Sequence, residues 1–186
     1  MRIIGIDYSL NSPGVCIAEN QNKTEIKDCT FHFLSSVKKY QGKVAKKVHG
    51  YEYPKYYSDN IQRFSLIGDW VLSLFNNKHT RIFIEGYSYG SRGQGLFQIA
   101  ENCGILKYKF LNQHHINYSN IVPSVVKKRA TGKGNASKEQ MYEQFMKDGG
   151  QDLVSELGMN KLSNPVTDIV DSYYIMRTGN EDSNCN

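Results

Sequence analysis

Two hydrophobic runs in this sequence each end in an acid. The chain opens MRIIGIDYSL, where Ile3, Ile4 and Ile6 lead into Asp7; further on, RIFIEGYSYG leads through Ile82, Phe83 and Ile84 into Glu85. Both runs read as buried β-strands, and a carboxylate without a partner is costly in such surroundings. Functional groups in open α/β sheets gather at the carboxyl ends of strands, which is where Asp7 and Glu85 both fall. Strands that run parallel as neighbours would set the two acids side by side. Carboxylates that close repel, and one keeps a proton unless a cation intervenes. A hard divalent ion such as Mg2+, which prefers oxygen ligands, removes the conflict. More acid comes from NPVTDIVDSYYIM, whose Asp168 and Asp171 are three residues apart and share one helical face. Ile169, Val170, Tyr173 and Met176 fall largely on the other side, so the solvated face of an amphipathic helix has the same pattern.

The basic residues are as unevenly placed as the acids. The formal charge is +5 over 186 residues, yet Lys38 to Lys55 holds six lysines against Glu52 alone, and Lys127 to Lys138 holds five basic residues and no acid. Charge gathered in this way points to a polyanion, of which nucleic acid is the commonest. Lys138 follows Ser137 in S-K-E-Q, a capping box, so it belongs to a helix start, where backbone N–H groups favour phosphate. The nearby TGKG lacks the spacing of a nucleotide-binding P-loop. Cys16, Cys29, Cys103 and Cys185 are scattered, with no C-x-x-C pair and no histidine at zinc-finger spacing, and read as reduced structural thiols. No apolar run approaches the ~20 residues of a membrane span, and no signal-peptide pattern precedes the first strand. A cytoplasmic protein that does not engage membranes is expected.

The elements that must position these residues follow from periodicity. Strands are expected over 2–8, 13–19 and 25–34, the first two joined by the Asn-Ser-Pro-Gly turn at 11–14, as an antiparallel meander. The stretch 35–57, rich in Lys and with five tyrosines, reads as a loop or insertion. Apolar residues from 57 to 75 recur at three- and four-residue steps and predict a helix. A strand at 81–85, a glycine-rich turn, a helix near 96–111 and a strand near 115–122 come next. A short helix opens at Ser137, and the last one opens at Asn164-Pro165. Residues 1–178 read as one domain with a frayed tail at 179–186, in an α/β layer architecture.

Asp7 and Glu85 after their strands, the TGKG loop with downstream Ser-Lys, and the terminal D-x-x-D together resemble the RuvC-type Holliday junction resolvases, in a divergent form of the phage or viral sort. The resemblance covers nearly the whole chain except about 35–57. It implies a ribonuclease H-like fold, with a five-stranded mixed sheet flanked by helices. It also implies a homodimer that nicks four-way DNA junctions symmetrically with two Mg2+ or Mn2+ ions. Asp7, Glu85, Asp168 and Asp171 would be the metal ligands and catalytic acids, Asp7 bridging. Lys127 and Lys138 match the basic residues near the scissile phosphate, and Lys128, Arg129, Lys133 and Arg92 would add DNA contacts. An aromatic soon after Glu85, Tyr87 or Tyr89, would stack on a base at the junction. Rival readings are another ribonuclease H-like nuclease acting on flaps or RNA–DNA hybrids, and a non-catalytic branched-DNA-binding protein. The run I-I-G-I-D-Y-S also resembles the phosphate loop of actin-like ATPases and sugar kinases, folds that need two related halves and a longer chain.

Overall fold

The computed structural model describes residues 1–75, 79–87 and 94–184. Seven strands form one mixed sheet: β1 (Arg2–Asp7), β2 (Gly14–Ala18), β3 (Cys29–Ser35), β4 (Gly42–Ala45), β5 (Val48–Glu52), β6 (Thr80–Glu85) and β7 (Tyr118–Ile121). Their order across the sheet is β4-β5-β3-β2-β1-β6-β7. The expected meander is present, β2 pairing antiparallel with both β1 and β3. The condition set by the two acidic strand ends is also met, because β1 and β6 run parallel side by side with Ile6 opposite Ile84.

Alternation along the strands builds two cores, because successive side chains point to opposite faces. Ile4, Ile6, Val15, Ile17, Leu34, Ile82 and Ile84 face one side. They are covered by α1 (Asn60–Ser73) and α2 (Gln94–Tyr108). Ile3, Cys16, Phe31, Phe33 and Phe83 face the other. That side carries α3 (Pro123–Thr131), α4 (Lys138–Lys147), the single-turn α5 (Leu153–Glu156) and α6 (Val166–Asn184). The periodic 57–75 stretch starts its helix later than expected, where the Asp59 side chain accepts from Gln62 N–H at 2.8 Å. Cys16, Cys29 and Cys103 are free and buried. No helix among the described residues is long and apolar enough to cross a membrane.

Three parts of the sequence reading need correction. The Lys/Tyr stretch is not a loop: it supplies β4 and β5, so the sheet has seven strands rather than five. Val48 and Gly50 face the α6 side while His49 and Tyr51 face the other. The lysines hide this alternation because an edge strand such as β4 tolerates them. The basic window is half helical, with Lys127, Lys128 and Arg129 on α3. TGKG is the stop of that helix: Gly132 takes a left-handed conformation at φ 79°, which favours glycine, and its N–H bonds the Lys128 carbonyl at 2.8 Å. The tail does not fray at 179, because α6 continues to Asn184 with Thr178 and Asn180 buried.

Helix α6 lies directly on the sheet, and glycine makes that approach possible. A Cβ on Gly5 would collide with the Ser172 carbonyl oxygen and the Met176 nitrogen, and one on Gly14 with the Asp168 carbonyl. Gly179 makes the reciprocal contact from the helix, against the Phe83 ring. Gly5→Ala should therefore lift α6 and cost about 3 kcal/mol, the upper range for overpacking a filled core. Urea unfolding checks this; an unchanged midpoint would show that the helix can shift freely.

Candidate active site

The parity of the strands decides where the two acids point. Asp7 continues the series of Ile3 and Gly5, and Glu85 continues that of Arg81 and Phe83, so both carboxylates emerge on the α6 face. Their strands are hydrogen-bonded neighbours, and the register places Asp7 next to Glu85 at the carboxyl edge. Asp7 is also opposite Gly14, the residue against which the Asp168 backbone packs. One turn of α6 therefore brings Asp168 and Asp171 over the strand ends. The alternative of a solvated acidic helix face does not hold: α6 is buried nearly all round, and Asp168 is only 3% exposed.

Four acids thus share one buried corner, and their ionisation reflects it. Burial is the largest cause in each case. Asp7 is held well above the usual carboxylate range by burial, then by Asp168, Asp171 and Glu85, against the pull of Lys138. Glu85 is pushed up to about 7 by burial and by Asp171 and Asp168, with Lys127 and Lys138 opposing. Asp171 rises to about 6 through burial with Asp168 adding, against Lys138 and Lys127. Asp168 is also raised by burial, but less freely, because hydroxyl donors and Lys138 favour its charged form.

Those hydroxyls were not singled out by the sequence reading. Ser9 Oγ donates to Asp168 Oδ2 at 3.3 Å, and Ser12 Oγ makes a short hydrogen bond to the same oxygen. Asn164 Nδ2 donates to Ser12 Oγ at 2.9 Å, and Thr167 Oγ1 donates to Asn164 Oδ1 at 2.6 Å. Lys138 Nζ donates to Thr167 Oγ1 at 3.3 Å, which ties the start of α4 to the start of α6. Ser12 had been read only as turn chemistry; its proximity to an acid 156 residues away has no local signature.

The basic candidates separate into groups. Lys127 and Lys138 act on the acids electrostatically and flank them. Lys128 and Lys133 are exposed to solvent. Arg129 is committed elsewhere, pairing with Glu181 at 3.2 Å and with Asp182 on α6. Tyr87 is 43% exposed, and Lys107 Nζ lies 4.8 Å from its ring centre. Tyr89 and Arg92 lie outside the described residues.

Four carboxylates gathered in one corner, three of them raised by their acidic neighbours as well as by burial, form a donor set suited to hard divalent cations. Among the described residues, however, no group of three or more His, Cys, Asp or Glu side chains stands ready-made to hold an ion.

The order of the strands and the helices on both faces define an α/β protein of the ribonuclease H-like fold. RuvC from Thermus thermophilus superposes with a TM-score of 0.59 at 16% identity, covering 100% of this chain and 96% of that one. The same organism's RuvC in complex with Holliday junction substrate gives 0.60 at 12% identity, with 100% and 96% covered. The yeast mitochondrial Holliday junction resolvase Ydc2 gives 0.55 at 12%, covering 95% and 76%. No protein-family model matches the sequence, and no curated protein matches it significantly. At these identities the likeness establishes the fold.

Proposed function

We propose that this chain is a metal-dependent, structure-selective endodeoxyribonuclease that resolves four-way DNA junctions by hydrolysing phosphodiesters in paired strands. The observation that carries this reading is the meeting of Asp7, Glu85, Asp168 and Asp171 in one buried corner at the carboxyl edge of the sheet, flanked by Lys127 and Lys138. Two Mg2+ or Mn2+ ions held by these acids would polarise the phosphate and activate water. The chain's own residues do the rest. Ser9 and Ser12 orient Asp168, and Lys138, tied to Thr167, limits the repulsion among the carboxylates. Lys127 and Lys138 offer positive charge to the DNA backbone beside the acids, with Lys128 and Lys133 further out and Lys43 of β4, with Lys46 and Lys47 between β4 and β5, on a separate edge.

Symmetric nicking calls for two copies, and α2 supports a homodimer. Phe97 and Tyr108 are 71% and 57% exposed on one stripe of that helix, with Glu101 and Gly104 between them. The spacing of four, three and four residues is that of a helix–helix seam. Sedimentation should give twice the 21.2 kDa chain mass, and a purely monomeric species would remove the homodimer from this reading.

The deciding experiment is a gel of labelled four-way junction with and without Mg2+, beside flap, RNA–DNA hybrid and linear duplex substrates. Symmetric nicks in the junction alone support the proposal; cleavage of hybrids or flaps instead would favour a different nuclease, and binding without any cleavage a non-catalytic protein. A further expectation concerns Lys127→Ala combined with Lys138→Ala. Each neutralised phosphate contributes about 0.9 to the slope of log affinity against log salt, so the double variant should bind more weakly with a slope shallower by about 2. An unchanged slope would take both lysines off the DNA surface.

A further inference from the structure

The hairpin of β4 and β5 extends the carboxyl edge of the sheet well past the acids. β1 and β3 both run antiparallel to β2, and β5 runs parallel to β3, so β5 points the same way as β1. Asp7 is paired with Gly14, Gly14 with Phe33 and Phe33 with Gly50, one row across four strands. The chain beyond Phe33 and Gly50 therefore emerges level with the acid corner, three strand spacings or roughly 14 Å to its side. Two segments occupy that ground: the turn Lys38–Tyr40 after β3 and the irregular run 53–57 after β5. Both are fastened down. A Cβ on Gly50 would collide with the Tyr40 carbonyl oxygen, so the turn lies directly on β5. Ser35 Oγ accepts from Val37 N–H at 3.1 Å, and the Ser35 carbonyl accepts from Gln41 Nε2 at 3.2 Å and Tyr53 N–H at 3.1 Å. The Tyr53 hydroxyl donates to the Leu10 carbonyl at 2.6 Å, which joins this ground to the β1–β2 turn whose Ser9 and Ser12 hold Asp168. The side chains presented outward are basic and aromatic. Lys38 and Lys39 are exposed, with no acid paired to either among the described residues, and Lys39 Nζ is steadied 4.7 Å from the Tyr40 ring centre. Tyr56 is 90% exposed. Lys55, by contrast, is paired with Glu52.

We propose that Lys38, Lys39 and Tyr56 form a second DNA contact, which holds the sugar–phosphate backbone of one duplex arm while the acids act on the strand beside the branch. The inference rests on the nuclease reading above and adds to it where along the strand the protein must find duplex. A strand advances 3.4 Å per nucleotide, so a contact roughly 14 Å to the side of the acids, or a little beyond, falls about four to six nucleotides from the scissile phosphate. Point charges and a ring that stand clear of the surface suit the outer phosphates of a duplex better than a walled channel would. The two lysines neutralise phosphates, and the tyrosine hydroxyl meets phosphate or sugar, contacts that fix register without reading sequence. With Lys127 and Lys138 at the acids, the strip gives a second fixed point and so a direction for the arm across the carboxyl edge. Lys23 and Lys27 are exposed between β2 and β3, at the opposite edge of the sheet, and take no part in this contact.

The test first maps the cut made by the full-length protein in Mg2+. It then measures binding in EDTA to four-way junctions in which single phosphates on either side of that cut are replaced by uncharged methylphosphonates. Wild-type protein should bind about threefold more weakly when the neutral linkage lies about four to six nucleotides away. Lys38→Ala/Lys39→Ala should be indifferent to the replacement there, and its slope of log affinity against log salt should be shallower by about 2. Lys23→Ala/Lys27→Ala loses the same charge at the opposite edge and should keep the wild-type slope and the wild-type sensitivity. Tyr56→Ala should weaken binding about fivefold with the slope unchanged, because it removes a neutral contact. Equal slope changes in the two double variants, no sensitive position in wild type, or a sensitivity that survives in Lys38→Ala/Lys39→Ala would overturn the second contact and leave the nuclease reading intact. Unchanged affinity in Tyr56→Ala overturns the role given to that residue. A wild-type protein that does not cut the junction overturns both.

Discussion

Asp7→Asn is expected to leave junction binding in EDTA within about twofold of wild type while cleavage in Mg2+ falls at least about a thousandfold, the equivalent of about 4 kcal/mol of transition-state stabilisation. The asymmetry follows from position. Asp7 stands at the edge of the central strand pair, where burial and three neighbouring acids disfavour its charged form. Removing that charge relieves repulsion, so the variant should also melt higher than wild type at pH 7.5 without metal. Loss of activity together with a gain in stability is the signature of a functional charge kept at a structural cost. Equal loss of binding and cleavage, with a lower melting temperature, would instead make Asp7 a support for the fold.

Much of this corner could be read from residue types and spacing, and the reason is local. A strand that alternates or runs apolar and then stops at an acid announces both its burial and its edge, so Asp7 and Glu85 stood out from ten-residue windows. The Ser137 capping box was equally local, and the structure contains it, with Gln140 N–H bonding Ser137 Oγ at 3.3 Å and Ser137 N–H bonding Gln140 Oε1 at 3.0 Å. What remained hidden depended on contacts between distant segments. The acids of α6 could equally have formed a solvent-facing stripe, because a helix buried on almost every side has little amphipathic signal to tell the two apart. Only Gly5 and Gly14, which admit the helix backbone onto β1 and β2, explain why those acids point inward. Ser12 was legible as a turn residue and not as a partner of Asp168. Arg129 looked identical to its basic neighbours until α6 placed Glu181 beside it. The strands β4 and β5 were obscured by lysines, a composition that reads as a solvated loop and here forms a sheet edge.

The corner's second consequence is a stability that depends on acidity and on divalent ions together. A carboxyl whose pKa is raised in the folded state binds its proton more tightly there than in the unfolded chain. Its contribution is full below the unfolded value and is lost as pH rises through the folded one. Glu85 goes from 4.5 to about 7 and Asp171 from 3.8 to about 6. Between about pH 4 and pH 8 the metal-free protein should therefore lose on the order of 5 kcal/mol from these two groups, with their mutual coupling counted once. His32 works in the opposite direction: burial first, and then the charge of His49, lower it to about 4. Its contribution is present above its unfolded value and disappears as pH falls, offsetting about half of the carboxylate effect below pH 6.5. Comparing wild type with Glu85→Gln/Asp171→Asn cancels the histidine, since it is common to both. In EDTA the double variant should be the more stable protein at pH 8, and that advantage should vanish near pH 4. Mg2+ should raise the melting temperature of wild type at pH 8, do little at pH 5 where protons already hold the site, and leave the double variant almost unmoved, because binding stabilises only what can bind. Melting curves over this pH range, with and without the ion, read all three effects. A wild-type advantage in EDTA at pH 8, or a Mg2+ shift equal at both pH values, would mean that the four acids do not repel one another as their shared burial requires.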